Sequence, residues 1–385
     1  MSTTRRDFLG LAAGGAGVAL ATGLATTAHA QPEQEFDPGE LPGVEKAAKP
    51  LRILILGGTG FIGPHQVRYA LARGHQVTIF NRGRTRPDLF GADVEQRIGN
   101  RDPEIDDGLA SLETGEWDAI IDNSAYVPRI AEASAQLLKG RAKRYVFVSS
   151  ISAYADEGTP GIDESSPVAT LEDTTVETVT GETYGALKAY CEQAVQDAFG
   201  AGATIVRPGY IVGPGDRSDR FTTWPVRIRM GGEVLAPGTP DDPIQWVDAR
   251  DLSAFCVRLC EEDTAGVFNV AGPEADCSTA MMLYGIWGAT SADVRFTWVP
   301  AAFLAAQQFG APIWVDPAGP YAGFGRVSIK AAIDAGLTFR PLAETTRDLL
   351  AWWDTLPEQA TQRLRDRLAS GREQEVLAAW KAEQG

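Results

Sequence analysis

Residues 51–63 read Leu-Arg-Ile-Leu-Ile-Leu-Gly-Gly-Thr-Gly-Phe-Ile-Gly, an apolar run that passes directly into glycines spaced three residues apart. Such a run is typical of a buried strand, and the Gly-x-x-Gly-x-x-Gly spacing is typical of a turn that cradles phosphate. Gly57 permits a tight turn, Gly60 lets a pyrophosphate approach the backbone, and Gly63 lets the next helix pack close to the strand. The stretch predicts a helix that begins near Phe61 and directs its dipole at the phosphates.

The chain beyond this loop repeats the same alternation. A helical stretch over 66–74 leads to a strand over 76–80, which completes a β-α-β unit of about thirty residues. Strands alternating with helices predict an α/β fold, a Rossmann-like doubly wound parallel sheet covered on both faces. The further strands are predicted at 94–98, 118–122, 144–149, 203–207 and 266–270, and the helices between them include 129–139 and 184–199.

The composition and the alternation of predicted strands and helices divide the chain into parts. We predict a signal peptide over 1–30, a linker over 31–50, a dinucleotide-binding Rossmann domain over 51–272 and a smaller C-terminal substrate lobe over 273–385. Residues 208–243 are expected to contribute to that lobe. Within the Rossmann domain, residues 155–182 predict a long loop, because they are rich in Asp, Glu, Thr and Pro with little periodicity. The C-terminal lobe is expected to end in two helices.

The N-terminus has the pattern of a targeting signal. Ser2-Thr3-Thr4-Arg5-Arg6-Asp7-Phe8-Leu9-Gly10 resembles a twin-arginine export signal, an Ala- and Gly-rich stretch follows, and Ala28-His29-Ala30 is a cleavage-type sequence. The resemblance implies recognition by the export machinery, export to the periplasm or the medium in the folded state, and cleavage after Ala30. Two alternatives stay open, a retained anchor or tail and a cytoplasmic protein whose N-terminus imitates a signal.

Charge and residue counts exclude several classes of protein. The net charge of −16 and the pI of about 4.7 disfavour nucleic acid as a partner, because the chain repels phosphate backbones. The four cysteines form no Cys-x-x-Cys pair, and Cys256 and Cys260 are expected to be buried small residues within a helix. Three scattered histidines predict no metal site.

Tyr184 and Lys188 are the candidate catalytic pair. They lie four residues apart at the start of a predicted helix, so both face the same pocket. A nearby ammonium favours the phenolate, so Lys188 is expected to lower the pKa of Tyr184. Ser150, at the end of the strand over 144–149, and Ser124 with Ala125, after the strand over 118–122, are expected at the same sheet edge.

Together these features resemble the extended short-chain dehydrogenase/reductase family, the NAD(P)-dependent epimerases and dehydratases of nucleotide sugars. The resemblance covers most of 51–275 and includes 207–216, 245–252 and 266–272. It implies Ser150, Tyr184 and Lys188 as catalytic residues. It implies cofactor contacts from Gly57, Thr59, Gly60, Phe61, Ile62, Gly63, Asn81, Arg82, Asn100, Ser124, Ala125, Tyr184, Lys188, Pro208 and Gly209.

Two positions depart from the family pattern and bear on the choice of cofactor. Asn81 and Arg82 follow the second strand, where NAD users carry an acidic residue for the ribose 2′-hydroxyl. Arg82 can pair with a 2′-phosphate, which favours NADP modestly over NAD, although it could equally stack on adenine. Asn100 stands where the family usually has Asp beside the adenine, and an amide can still hydrogen-bond the base.

The resemblance implies an enzyme acting on a sugar or sugar-like hydroxyl or carbonyl, with Tyr184 exchanging the proton while hydride moves. Because free cofactor is scarce outside the cytoplasm, an exported enzyme is expected to bind its cofactor tightly and regenerate it within each turnover. The alternatives are a non-catalytic nucleotide-binding or sensing protein and a simple NADPH-dependent reductase. A homodimer is possible. Trp224, Arg227 and Trp314 either line the substrate pocket or belong to the lobe core.

Overall fold

A computed structural model describes residues 37–385, so the predicted export signal over 1–30 lies outside the described residues. The strands are β1 (Arg52–Leu56), β2 (Gln76–Asn81), β3 (Glu95–Ile98), β4 (Ala119–Asp122), β5 (Arg144–Val148), β6 (Ala203–Pro208), β7 (Ile211–Val212), β8 (Gly232–Pro237), β9 (Val247–Asp248), β10 (Gly266–Val270) and β11 (Val294–Val299). The helices are α1 (Gly63–Arg73), α2 (Pro128–Leu138), α3 (Tyr184–Phe199), α4 (Thr223–Arg229), α5 (Ala249–Glu261), α6 (Thr279–Gly288), α7 (Ala301–Ala306), α8 (Lys330–Asp334), α9 (Leu342–Thr355), α10 (Glu358–Ala369) and α11 (Arg372–Glu383).

The centre of the molecule is a seven-stranded sheet in the order β10-β6-β5-β4-β1-β2-β3. Every neighbouring pair is parallel, and β1 is hydrogen-bonded on both sides, with Leu54 beside Thr78 and Ile120. All seven strands predicted from the sequence are confirmed within two residues at each end. The Rossmann-like, doubly wound sheet is therefore confirmed.

Helices cover both faces of the sheet. Ile53 and Ile55 of β1 belong to a core cluster that also contains residues of α1 and α5. Leu54 and Leu56 belong to a second cluster that contains residues of α2 and α3. Because successive side chains of a strand point to opposite faces, one continuous apolar run serves both cores.

The C-terminal part forms a second, smaller core. Its two-stranded parallel sheet joins β8 to β11, and Phe221 and Trp224 pack there against Met282 and Leu283 of α6. Residues 208–243 thus supply a strand to this core, whereas Ala332 of α8 belongs to a core cluster of the large sheet. The domain boundary at 272 stays a prediction.

Two sequence expectations are wrong in detail. The first helix begins at Gly63 rather than near Phe61, and Pro64, which suits a first helical turn, marks its start. Three helices (α9, α10 and α11) end the chain instead of two, separated by Pro357 and Gly371.

The long loop over 155–182 is confirmed, since it contains no helix and only an isolated bridge between Tyr154 and Val168. Among the described residues, no helix has the length and apolar character needed to cross a membrane.

Candidate active site

The predicted site residues come together at the carboxyl edge of the large sheet. The glycine loop follows β1, Ser124 and Ala125 follow β4, Ser150 follows β5, and Pro208 and Gly209 lie at the end of β6. In open parallel sheets this edge, where neighbouring crossovers diverge, is where ligands bind. The topology explains why residues far apart in sequence share one cleft.

The glycine loop is shaped by backbone that other residues rarely adopt. Gly57 has φ of +119° and Gly58 has φ of +78°, and a Cβ on Gly58 would lie only 2.7 Å from Cγ2 of Ile79. We predicted that Gly63 lets the first helix pack close to the strand. A Cβ on Gly63 would overlap the backbone of Gly58, so it is the loop itself that requires a glycine at this position. Gly58 is a constrained position that the three-residue spacing did not reveal.

The loop fits the pyrophosphate of a dinucleotide. A Cβ on Gly60 would meet nothing within 4 Å, so the loop backbone faces open space at the tip, in front of the N-terminus of α1. The side chain of Arg86, which sequence reasoning missed, is buried and donates from Nη2 to the carbonyl oxygen of Thr59 at 2.5 Å. Arg86 therefore holds the loop from behind and adds positive charge beside it.

The predicted adenosine contacts lie at the ends of β2 and β3. The Oδ1 atom of Asn81 accepts hydrogen bonds from Gly83 N at 2.7 Å and Gln96 Nε2 at 3.1 Å, which fixes the turn that carries Arg82. Arg82 is exposed and forms no ion pair within residues 37–385. Asn100 Oδ1 accepts from the amide of Asp102 at 3.1 Å, which leaves the amide nitrogen of Asn100 for a base.

Ser150, Tyr184 and Lys188 are brought into one cluster. Tyr184 is the first residue of α3, and its hydroxyl is hydrogen-bonded to the Ser150 hydroxyl. Lys188 is buried one turn further along, and its Nζ donates to the carbonyl oxygens of Ala125 at 2.9 Å and Val148 at 2.8 Å. The lysine thereby joins α3 to the ends of β4 and β5.

The electrostatics of the pair differ from the sequence expectation. Burial, followed by the neighbouring Tyr126, raises the pKa of Tyr184 above its ordinary value, and Ser150 and Arg220 only partly offset that rise. Burial also lowers the pKa of Lys188. The prediction that Lys188 holds the phenol pKa low is wrong here, because burial dominates the shift and Lys188 is not among its principal causes. Tyr184 is accordingly a neutral phenol, able to donate a proton.

Two residues beside the predicted cluster, Tyr126 and Glu192, were not among the residues predicted from the sequence. The centroids of the Tyr126 and Tyr184 rings lie 6.3 Å apart. Lys188 Nζ lies 5.2 Å from the centroid of the Tyr126 ring. Glu192 follows Tyr184 and Lys188 at the same four-residue spacing, a repeat that could have revealed it. Its carboxylate accepts from Ser149 Oγ at 2.5 Å and from Arg207 Nη2 at 2.6 Å.

The candidate lining residues belong to the lobe core. Trp224 is buried and donates from Nε1 to the carbonyl oxygen of Pro312 at 2.8 Å. Arg227 is paired with Glu373 at 2.5 Å, and Trp314 Nε1 donates to Asp242 Oδ2 at 2.9 Å. The burial of Trp224 and Arg227 and these contacts favour the core alternative, while the pocket alternative stays a prediction.

Cysteines and histidines have structural partners or packing. Cys256 and Cys260 are buried free thiols, as predicted. His65 is buried with Nε2 3.1 Å from the carbonyl oxygen of Pro214, and His75 Nε2 lies 2.7 Å from Glu261. Within the described part of the chain, no group of His, Cys, Asp and Glu side chains is arranged to hold a metal ion.

Glu157 gives the long loop a pH-sensitive attachment. Its backbone oxygen accepts from Gly323 N at 2.8 Å, and burial raises the pKa of its carboxyl from 4.5 to about 7. Because this pKa is raised in the folded state, the folded protein loses stability as the pH rises from 4.5 through 7. We expect Glu157→Gln to stabilise the protein by about 2 kcal/mol at pH 8 and negligibly at pH 4.5.

Urea unfolding at the two pH values measures this difference. Glu172→Gln, an exposed position in the same loop, serves as the control and should leave the pH dependence unchanged. An equal effect of Glu157→Gln at both pH values would show that burial of the charge is not its cause.

Comparison with known proteins adds sequence and fold relatives. The sequence model of the NAD dependent epimerase/dehydratase family matches residues 53–271. Epimerase family protein SDR39U1 of Bos taurus is 24% identical over 241 residues, 60% of this chain and 77% of that protein. The dTDP-4-dehydro-6-deoxy-D-allose reductase of Streptomyces bikiniensis is 27% identical over 260 residues, 58% of this chain and 76% of that enzyme.

A chloroplast stem-loop binding protein of 41 kDa from Arabidopsis thaliana is 26% identical over 242 residues, but the match spans only 60% of its length and 59% of this chain. Among solved structures, the Bordetella bronchiseptica enzyme WbmG in complex with NAD and UDP has a TM-score of 0.57 at 18% identity, covering 80% of this chain and 95% of WbmG. Human SDR39U1 with NADPH has a TM-score of 0.53 at 21% identity, covering 77% of this chain and 100% of that one. At these identities the structures establish the shared fold.

Proposed function

Because the chain belongs to the NAD dependent epimerase/dehydratase family, we propose that it oxidises or reduces a sugar or sugar-like substrate with Tyr184 as the acid/base. The single observation that carries the proposal is the cluster of Ser150, Tyr184 and Lys188 at the sheet edge. Its three groups are a hydroxyl to orient the reacting oxygen, a phenol to exchange its proton, and a buried cation.

The described residues would have separate roles in binding the cofactor. When bound, the nicotinamide cofactor would supply or accept the hydride. The loop from Gly57 to Gly63 would hold the pyrophosphate, with Thr59, Phe61 and Ile62 beside it. The ends of the neighbouring strands carry Ser124, Ala125, Pro208 and Gly209. Lys188 Nζ already donates a hydrogen bond there, to the carbonyl oxygen of Ala125.

Several features support a carbohydrate substrate and a tightly held cofactor. The Streptomyces relative is by its name a reductase of a dTDP-linked deoxysugar, and WbmG was solved with NAD and UDP. The export-type sequence at Arg5 and Arg6 further favours a reaction that regenerates its cofactor within each turnover. We therefore propose an exported epimerase or dehydratase rather than a reductase that needs fresh NADPH.

Native mass spectrometry of the protein isolated from its own cells tests this proposal. We expect a mature chain that begins at Gln31, found in the exported fraction, with one nicotinamide dinucleotide bound. A cytoplasmic full-length chain would overturn export, and a chain that binds neither NAD nor NADP would overturn the enzymatic function.

Arg82 is proposed to favour NADP. We expect Arg82→Ala to weaken NADPH binding about 10- to 100-fold, because it removes a charge-assisted contact to the 2′-phosphate, and to change NADH binding less than about threefold. Fluorescence titration with both cofactors measures the ratio. Arg84→Ala is the matched control, since the guanidinium of Arg84 lies 3.5 Å from the carboxylate of Asp106. Equal losses for both cofactors would indicate that Arg82 stacks on adenine instead.

A binding protein without chemistry is the second candidate, favoured by the similarity to the chloroplast stem-loop binding protein. The net charge of −16 disfavours RNA as its ligand, since a polyanion is repelled by the acidic chain. The test at Tyr184 described below separates the two candidates.

A further inference from the structure

Arg129, in the first turn of α2, joins two segments that are far apart in the sequence. Its Nη1 and Nη2 donate to the carboxylate of Asp102 at 2.9 and 3.1 Å, in the loop that follows β3. Its Nε and Nη2 donate to the carboxylate of Glu177 at 2.9 and 3.2 Å, in the long loop over 155–182. One planar guanidinium therefore forms a two-bond pair with a carboxylate on each side, a geometry that a lysine could not reproduce.

The two segments belong to opposite ends of the predicted cofactor site. The amide of Asp102 donates to the Oδ1 atom of Asn100, the residue predicted beside the adenine. Glu177 lies seven residues before Tyr184, and a hydrogen bond from Tyr184 N to the carbonyl oxygen of Thr180 at 3.0 Å closes the turn between them. Arg129 thus connects the adenine end of the site to the segment that enters α3.

Arg129 also stands at the edge of the sheet where the cofactor is expected. In a parallel β-α unit the chain leaves each strand at its carboxyl end, so the helix that follows begins at that edge. The helices α2 and α3 begin there at Pro128 and Tyr184, and Arg129 follows the predicted cofactor contact Ala125 by four residues. The ion pairs therefore bridge the starts of two helices that flank the candidate site.

The surrounding charges make Arg129 the group that holds the long loop at this point. The loop over 155–182 contains eight acidic residues and no Lys or Arg, and Glu104 adds a further carboxylate 3.5 Å from Arg129. Without the guanidinium, Glu177 would face Asp102 and Glu104, and like charges repel. The side chain of Arg129 is 35% exposed and that of Asp102 is 17% exposed, so the pair is partly shielded from water but still within reach of salt.

We propose that Arg129 is a positioning residue that fastens the long loop across the adenine end of the site and so slows the release of the cofactor. The inference rests on the proposed function and gives a structural cause for the tight cofactor binding proposed there. Release of the cofactor requires Glu177 or Asp102 to leave the guanidinium, after which the segment before Tyr184 is free to move. Because the fastening is electrostatic, dissolved salt weakens it.

Stopped-flow release of NADPH, with NADH in parallel, tests the inference on the purified protein. Preloaded protein is mixed with an excess of the oxidised cofactor, and the loss of bound nicotinamide fluorescence gives the dissociation rate. We expect Arg129→Gln and Glu177→Gln each to release the cofactor about 3- to 10-fold faster than the wild type, and the double variant to release it no faster than Arg129→Gln. In 1 M NaCl the wild-type rate should approach that of the variants, because screening weakens the same attraction.

Arg229→Gln is the matched control. Arg229, at 37% exposed, forms an ion pair with Asp354 at 2.8 Å that joins α4 to α9 in the lobe, so its loss should leave the release rate unchanged. The inference is overturned if Arg129→Gln releases the cofactor at the wild-type rate, if Arg229→Gln accelerates release equally, or if the difference between Arg129→Gln and the wild type persists undiminished in 1 M NaCl.

Failure of the proposed function would give a different result. If the wild type binds neither NADPH nor NADH, the proposed enzymatic function ends, and hydrogen exchange of the cofactor-free protein still decides the role of Arg129. We expect the backbone amides of residues 172–183 to exchange about 3- to 10-fold faster in Arg129→Gln than in the wild type, because the segment opens more often. Equal exchange in the two proteins would show that Arg129 does not hold the loop.

Discussion

Tyr184→Phe is expected to lower kcat by about 10²- to 10⁴-fold while leaving cofactor affinity unchanged. The substitution removes one hydroxyl, the group that is hydrogen-bonded to Ser150, and keeps the ring that packs near Tyr126. Because burial raises the pKa of this phenol, the proton stays on the oxygen at neutral pH. Phenylalanine fills the same space and has no proton to give.

Turnover with the best substrate from a nucleotide-sugar panel and NADPH fluorescence titration provide the two readouts. Tyr190→Phe is the control on the same helix, since its hydroxyl accepts from Leu171 N at 2.8 Å, away from Ser150. An enzyme should lose turnover only in Tyr184→Phe. Should Tyr184→Phe turn over substrate like the wild type, the phenol is not the acid/base, and a protein that binds nucleotide without chemistry becomes the better description.

The fold was predictable because its determinants are local. Each strand of the large sheet is a short apolar run between turns, so both the strand positions and the two-sided covering followed from the sequence. The start of the first helix was not predicted well, because Phe61 and Ile62 read as helical by pattern while Pro64 sets the observed beginning. The third C-terminal helix was missed because the exposed helices at the end of the chain have similar sequence patterns.

The site was only half predictable. Ser150, Tyr184 and Lys188 follow from strand ends and helical spacing, which are short-range rules. Arg86 contacts Thr59 from 27 residues away, and Glu192 meets Ser149 from 43, so no local pattern could pair them. The direction of the Tyr184 pKa depends on how much protein surrounds the phenol, a quantity that spacing does not contain.

Glu192→Ala is expected to destabilise the protein by about 3–5 kcal/mol, because it leaves a buried guanidinium without its partner. The two side chains are almost fully buried, at 4% exposed for Glu192 and 5% for Arg207, and two hydrogen bonds join them at 2.6 and 3.0 Å. The same carboxylate is the acceptor for Ser149 Oγ, so the alanine variant strands a hydroxyl as well.

The pair also has a positional role that distinguishes it from an ordinary core contact. Glu192 belongs to α3, Ser149 follows β5 and Arg207 belongs to β6, so one carboxylate fastens the helix of Tyr184 and Lys188 to the strands that carry Ser150 and Pro208. Glu192→Gln keeps the shape and loses the charge. We expect it to fold, to bind NADPH like the wild type, and to have a reduced kcat, since the Ser150 and Tyr184 hydroxyls depend on this attachment.

Urea unfolding of single and double variants decides the matter. Removing both charges in Glu192→Met with Arg207→Met should recover most of the stability that Glu192→Ala loses, because two apolar side chains of similar volume need no partner, whereas one buried charge does. If the double variant is as unstable as the sum of its singles, Glu192 and Arg207 do not act as a pair. If Glu192→Ala costs less than about 1 kcal/mol, water reaches the guanidinium, and the helix must be held by Lys188 and its two carbonyl contacts instead.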